Sequence, residues 1–175
     1  MLTTKLFLCT LAFLVATNGS ALASSRIGEN LPQATCVAGI WSSMRDLNSF
    51  PNGGAFDGVK AYCSGLSQGQ ATCMAGIWSS LRDLNSFPNG GAFDGVKAYC
   101  ANLNQADAIC VAGIWSSRRD LSSFQDGSGF DTVKTYCAGM TEAQATCVAG
   151  IWSSRRDLTA FPGGGAYDGV KAFCL

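Results

Sequence analysis

Residues 36–63, CVAGIWSSMRDLNSFPNGGAFDGVKAYC, are the stretch that decides the fold. Closely similar text returns three times, each copy 37 residues further on and bounded by cysteines. Those copies are residues 73–100, 110–137 and 147–174. A fixed period of this length is typical of repeat architectures, in which each unit is one supersecondary element. The sequence therefore predicts four tandem repeats, here called units one to four, at residues 31–67, 68–104, 105–141 and 142–175.

The segment before the repeats has the pattern of a secretory signal peptide, predicted over residues 1–23. Lys5 precedes an apolar run at 6–15, and Ala21-Leu22-Ala23 supplies a small-x-small cleavage pattern. A membrane anchor is the alternative, but the run is shorter than the roughly 18–20 residues that a spanning helix needs. We therefore expect a secreted protein, extracellular or periplasmic if bacterial, with residues 24–30 as an N-terminal linker.

Charge and cysteine content narrow the functional class. Lys plus Arg and Asp plus Glu both number 12, and histidine is absent. This balance gives no support for binding nucleic acid or an anionic membrane. All cysteines except Cys9 remain after removal of residues 1–23, which in a secreted chain favours disulfides. Without histidine or C-x-x-C spacing, neither a zinc site nor any cofactor is predicted.

Each unit is predicted to form a helical hairpin. A capping residue opens it at Asn30, Ser67, Asn104 and Thr141. Three residues later stand Gln33, Gln70, Asp107 and Gln144, as in a capping box. The first helix should end near Asn48, before Pro and paired Gly, and Asp57 should cap the second helix. A strand at 58–63 is the rival interpretation, because Val, Tyr and Gly occur there.

Two disulfide schemes fit a hairpin array. Pairing between units, as in Cys63–Cys73, would leave Cys36 and Cys174 unpaired. Pairing within units uses all eight cysteines, and we favour it. The predicted pairs are Cys36–Cys63, Cys73–Cys100, Cys110–Cys137 and Cys147–Cys174. Each bond closes a loop of about 27 residues and should contribute about 3 kcal/mol by restricting the unfolded chain.

A unit of this size should not be stable alone, because chains below about 40 residues bury too little surface. The units should stack and bury apolar residues between neighbours. The predicted fold is all-α, a tandem array of four disulfide-clamped helical hairpins that forms a short α-solenoid. In general layout it resembles other disulfide-clamped helical repeat proteins, and the resemblance carries over no functional residues.

A glycine lies inside each first helix, where it costs roughly 1 kcal/mol relative to alanine. These glycines are Gly39, Gly76, Gly113 and Gly150. Because Ser43 follows Gly39 at helical spacing, a close helix–helix contact is the expected compensation. Close approach of the backbone to a ligand is the alternative.

No catalytic constellation emerges, and the protein is not expected to be an enzyme. Without histidine there is no Ser-His-Asp arrangement. Ser42 or Ser43 with Lys60 could form a Ser–Lys pair, but small polar residues on a packed helix explain them more simply. Arg45-Asp46 and Asp57 are interpreted as salt-bridge and capping groups rather than acid–base catalysts.

The repeated tryptophans and arginines are the candidate binding residues. They are Trp41, Trp78, Trp115, Trp152, Arg45, Arg82, Arg119 and Arg156. One turn from each tryptophan is a repeat position that changes from apolar to cationic between units, which indicates a position at the surface or its rim. The residues at this position are Met44, Leu81, Arg118 and Arg155. If the tryptophan column is buried, it is the core between units. If it is exposed, it is a multivalent stacking surface for a glycan or an extracellular protein.

The two outer units supply a second functional indication. Soluble repeat arrays usually carry altered, polar capping repeats, whereas units one and four have ordinary repeat text. Their outer faces should resemble the interface between units, so copies could associate head to tail without closing. We expect a secreted, non-catalytic structural component that self-assembles into filaments or matrix. The alternative is a multivalent binding protein that uses the Trp/Arg surface.

Overall fold

The computed structural model describes residues 21–80, 82–88, 90–117, 119–121, 124, 129–154, 156–163 and 165–175, with the backbone alone for 21–30. Over these ranges the chain forms eight α-helices and no strand. The first helices of the four units are α1 (Ala21–Trp41), α3 (Gln68–Ser79), α5 (Gln105–Ser116) and α7 (Glu142–Ser153). The second helices are α2 (Asp57–Tyr62), α4 (Asp94–Tyr99), α6 (Gly129–Cys137) and α8 (Asp168–Cys174). The predicted all-α hairpin array is confirmed.

Three of the four predicted N-caps open a helix. The side chains of Ser67, Asn104 and Thr141 accept hydrogen bonds from the backbone N–H three residues on. At α7 the two residues form a complete capping box, because Gln144 Oε1 also accepts from Thr141 N at 2.9 Å. The prediction at Asn30 is wrong: α1 already runs from Ala21, so residues 24–30, predicted as a linker, are helical. Residues 1–20 of the predicted signal peptide lie outside the described residues.

The first helices end earlier than predicted. α1 stops at Trp41, about two turns before Asn48, and α3 stops at Ser79, one residue past the equivalent position. The paired serines explain the end, because Ser43 Oγ and Ser80 Oγ fold back to donate to carbonyls three residues earlier. Serine hydroxyls compete in this way with the helical backbone. The chain then crosses to the second helix through turns rather than through a longer helix.

The second helices are short, and α2, α4 and α8 begin without a side-chain cap. Phe56 occupies the N-cap position of α2, and it makes no side-chain cap. The prediction that Asp57 caps is therefore wrong. Asp57 lies in the first turn instead, where a negative charge is favoured by the helix dipole. The rival strand at 58–63 is also excluded, since α2 covers Asp57–Tyr62.

Four disulfides close the hairpins within units, as predicted. They join Cys36–Cys63, Cys73–Cys100, Cys110–Cys137 and Cys147–Cys174, with Cα–Cα distances of 5.6 to 5.8 Å. These distances are normal for a disulfide. The sulfurs of the inner units are fully buried, whereas Cys147 and Cys174 are partly exposed.

The first helices form a row in which neighbours run in the same direction. Thr35, about two turns before the end of α1, contacts Gln68 at the start of α3, and beyond the end of α1 Arg45 reaches Ser80. Between these points Gly39 faces Ala75. The core fills the space between the row and the second helices, and it includes Ile40, Ile77, Ile114, Val59, Val96, Val133 and Val170. No helix in the described ranges is both long and apolar enough to cross a membrane.

Candidate functional site: the junction between units

Four aromatic rings meet wherever two units join, and we call this group the aromatic box. At the first junction Phe50 and Tyr62 come from unit one, and Trp78 and Phe93 from unit two. The centroid of Phe50 lies 5.0 Å from that of Trp78 and 4.9 Å from that of Phe93. Such tilted and edge-on ring pairs add attraction beyond the area they bury.

The box recurs at the other two junctions with equivalent residues. At the second it consists of Phe87, Tyr99, Trp115 and Phe130. At the third it consists of Phe124, Tyr136, Trp152 and Tyr167. Every box therefore takes two rings from the earlier unit and two from the later one, so neither unit can complete it alone.

A hydrogen-bond relay through tyrosine links the units inside the box. Trp78 Nε1 donates to Tyr62 Oη at 3.4 Å, and Tyr62 Oη donates to Phe93 O at 2.9 Å. Trp115, Tyr99 and Phe130 repeat the relay at 3.1 and 2.8 Å. Burial raises the pKa of Tyr62 and of Tyr99 well above the ordinary tyrosine value. Both hydroxyls therefore stay protonated and able to donate.

Each inner arginine caps the first helix of the next unit. Arg45 Nε donates to Trp78 O at 3.2 Å, and its Nη2 donates to Ser80 O at 2.8 Å and to Arg82 O. The equivalent arginines repeat this arrangement: Arg82 donates to Trp115 O and Arg119 O, and Arg119 to Trp152 O, Ser154 O and Arg156 O. The guanidinium fork thus satisfies carbonyls that the helix end leaves free.

Two further contacts set the register of the junction. A Cβ added at Gly39, Gly76 or Gly113 would overlap Ala75, Ala112 or Ala149 of the following unit. The glycines therefore permit close helix approach, as predicted, and they contact helices rather than a ligand. Lys97 Nζ donates to Tyr62 O at 3.2 Å and lies over the Tyr62 ring. Lys171 does the same at Tyr136.

The outer face of unit one carries half of an aromatic box. Trp41 is 47% exposed and Phe56 is 75% exposed, with their centroids 5.4 Å apart. They line an open cavity of about 500 Å³ together with Val37 and Lys60. The equivalent rings of units two to four are buried or half-buried, because they meet rings of the preceding unit.

The outer face of unit four carries the other half. Phe161 and Phe173 occupy the slots of Phe50 and Tyr62, and their centroids are 5.5 Å apart. Phe173 is 69% exposed. A Cβ on Gly150 would meet no atom within 4 Å, and Arg156 is exposed. The outer faces of units four and one therefore present opposite halves of one junction.

The structure divides the predicted binding residues into two groups. Trp78, Trp115 and Trp152 are between 2% and 4% exposed, so no continuous exposed tryptophan column forms and only Trp41 is accessible. Met44 is exposed as predicted, whereas residues 81, 118 and 155 lie outside the described residues. The inner arginines contact carbonyls of the next unit. Their period of 37 residues was the signal that could have revealed this role.

Among the other predicted groups, Ser42 and Asp46 likewise have structural partners. Ser42 Oγ donates to Gly39 O, and Asp46 Oδ1 accepts from Asn48 N at 2.9 Å. Within the described residues no group of His, Cys, Asp or Glu could hold a metal ion.

No protein-family model matches this chain, and no curated protein or solved structure is significantly similar to it.

Proposed function

We propose that this protein is a secreted, non-catalytic structural component whose copies associate head to tail. The outer face of unit four of one copy would bind the outer face of unit one of the next. The observation that carries the proposal is the divided aromatic box: Phe173 is exposed beside the half-buried Phe161 on one face, and Trp41 and Phe56 are exposed on the other. Joining the faces would rebuild the group that holds each internal junction.

Steric fit supports this pairing of faces. Gly150 occupies the slot of Gly39, Gly76 and Gly113, which contact an alanine of the following unit. Ala38 of a second copy has the matching slot, and it is exposed. The space beside Gly150 therefore suits a repeat of this same chain. Such a contact would let two helices approach as closely as they do inside the molecule.

Polar groups on the two faces are also complementary. Arg156 presents the guanidinium fork that Arg45, Arg82 and Arg119 use on the next unit. The matching acceptors on unit one are the carbonyls of Trp41, Ser43 and Arg45. A lysine donates from the later unit back to the earlier one: Lys97 and Lys171 each donate to a backbone carbonyl of the preceding unit. Lys60 is the equivalent lysine on the outer face of unit one. A second copy would thus satisfy donors on both sides.

The proposed contact joins two different surfaces, so it is heterologous. Such contacts produce rings when the rotation closes and open filaments when it does not. An open filament would suit a matrix role. Four intramolecular disulfides are compatible with an oxidising compartment outside the cytoplasm.

Sedimentation velocity of the oxidised protein, from micromolar to millimolar concentration, tests self-association. We expect species that grow with concentration, and elongated particles by electron microscopy. A Cβ at Gly150 would meet no atom of its own chain within 4 Å, so Gly150→Leu should fill the open slot and remain monomeric with an unchanged circular dichroism spectrum. A wild-type protein that stays monomeric throughout, or a Gly150→Leu protein that assembles equally well, would contradict the proposal.

A further inference from the structure

One slot of the junction differs between the inside of the molecule and its outer face. Units one to three carry a tyrosine there, whereas unit four carries Phe173. The three tyrosines are Tyr62, Tyr99 and Tyr136. Tyrosine and phenylalanine present nearly the same ring, so the difference is a single hydroxyl group. That group is the one through which consecutive units exchange hydrogen bonds.

Every internal tyrosine hydroxyl donates across the junction to a carbonyl of the next unit. The acceptors are Phe93 O at 2.9 Å, Phe130 O at 2.8 Å and Tyr167 O at 2.9 Å. At the first two junctions the same hydroxyl accepts from a tryptophan Nε1 of that unit. One oxygen therefore satisfies a donor and an acceptor that the box removes from water.

We propose that residue 173 determines the strength of the contact between copies, and that Phe173 keeps this contact weaker and more reversible than an internal junction. The inference rests on the proposed head-to-tail association. In that contact Phe173 would face Trp41 and Phe56 of the second copy. Its ring supplies apolar area, but Phe56 O would lack the hydroxyl that pairs its counterpart at all three junctions. Trp41 Nε1 would lack the hydroxyl that pairs its counterparts at the first two junctions, whereas Trp152 Nε1 is buried unpaired at the third.

The position has no role inside its own chain that explains the missing hydroxyl. Phe173 is 69% exposed, and its ring contact within the described residues is Phe161. The equivalent Tyr62, Tyr99 and Tyr136 occur in hairpins of the same architecture. A hydroxyl at position 173 is therefore compatible with the unit, and its effect should fall on what binds the face.

The test is the dissociation constant between copies for the wild type and for Phe173→Tyr. Trp41 emission measures it, because the other three tryptophans are already buried and should change little on association. Restoring two hydrogen bonds should lower the dissociation constant about tenfold. Phe161→Tyr is the matched control: it adds a hydroxyl in a slot that is phenylalanine in every unit, so it should not tighten binding.

The outcomes separate this inference from the proposed function. Tightening by Phe173→Tyr but not by Phe161→Tyr would support it. The wild type could assemble and Gly150→Leu block assembly while Phe173→Tyr leaves the dissociation constant between copies unchanged. In that case residue 173 does not determine the strength of the contact, and only this inference fails. If no variant associates at any concentration, both fail. If Phe173→Tyr alone associates, the inference stands and self-assembly of the wild type is refuted.

Discussion

Trp41 and Trp78 occupy the same slot in consecutive units, yet one is 47% exposed and the other 3%. Trp78 is enclosed by Phe50 and Tyr62 of the preceding unit, whereas the ring contact of Trp41 within the described residues is Phe56. Local sequence does not cause this difference, because residues 38–43 and 75–80 are identical. Burial in this protein is therefore a property of junctions rather than of single units.

The same contrast holds for the arginine and the glycine of each unit. Arg82 donates to carbonyls of unit three, whereas the matching Arg156 is exposed on the outer face. Gly113 contacts Ala149, and Gly150 has open space. A matched pair of variants, one internal and one on an outer face, therefore measures what a junction contributes.

The largest expected difference comes from tryptophan. Trp115→Ala should lower the free energy of unfolding by about 4 kcal/mol, because it empties a buried aromatic box. Trp41→Ala should cost about 1 kcal/mol, because its ring is half exposed. Urea denaturation followed by circular dichroism, at a concentration where the protein is monomeric, measures both. Equal losses would mean that the boxes do not hold the units together.

Arginine should give the second largest difference. Arg82→Ala leaves helix-end carbonyls of unit three without their charged donor, at a cost of about 2 kcal/mol. Arg156→Ala should change stability by less than about 0.5 kcal/mol. The same denaturation measurement applies, and Arg82→Lys, which keeps charge but loses the fork, should recover little. Full recovery with lysine would contradict the capping role.

Glycine should produce effects of opposite sign. Gly113→Ala forces α5 away from α7 and should destabilise the protein by about 2 kcal/mol. Gly150→Ala meets no neighbour and should stabilise the monomer by up to about 1 kcal/mol through helix propensity. Melting temperatures of the two variants decide the point. Stabilisation by both would show that helix contact does not require glycine.

The smallest effect concerns the tyrosine relay and its pH dependence. Tyr99→Phe should cost about 1 kcal/mol. Burial raises the pKa of Tyr99 in the folded state above its unfolded value of about 10. Its contribution is therefore complete below pH 10 and is lost as pH rises towards the folded-state pKa. Urea midpoints measured across that range should fall less steeply for Tyr99→Phe, and identical slopes would be the contrary result.

The repeat pattern predicted much of this architecture. Capping residues and Pro/Gly breakers predicted the hairpins, and counting the cysteines favoured the within-unit disulfides. The capping pattern also located the starts of α3, α5 and α7. It failed at Asn30, because α1 continues back to Ala21 despite Pro32. The pattern also placed the end of the first helix near Asn48, because Leu47 continues the apolar period. The helix ends earlier because the Ser43 hydroxyl folds back to Ile40 O, which depends on local backbone geometry.

The candidate site was less accessible to sequence reasoning. The pattern singled out the tryptophans and arginines, but it could not tell a buried column from an exposed one. That distinction depends on which rings of neighbouring units meet, and contacts such as Phe50–Trp78 join residues 28 positions apart. The repeat text already predicted outer faces that resemble the interface between units, but the residues that form their matching halves required the internal junction in atomic detail.

Mixing two variants, each blocked on one face, tests the proposed head-to-tail contact most directly. Ala38→Leu blocks the outer face of unit one, and Gly150→Leu blocks that of unit four. Each variant alone should sediment as a monomer, and an equimolar mixture should form a one-to-one dimer and nothing larger. Assembly of either variant alone, or a monomeric mixture when the wild type assembles, would contradict the account.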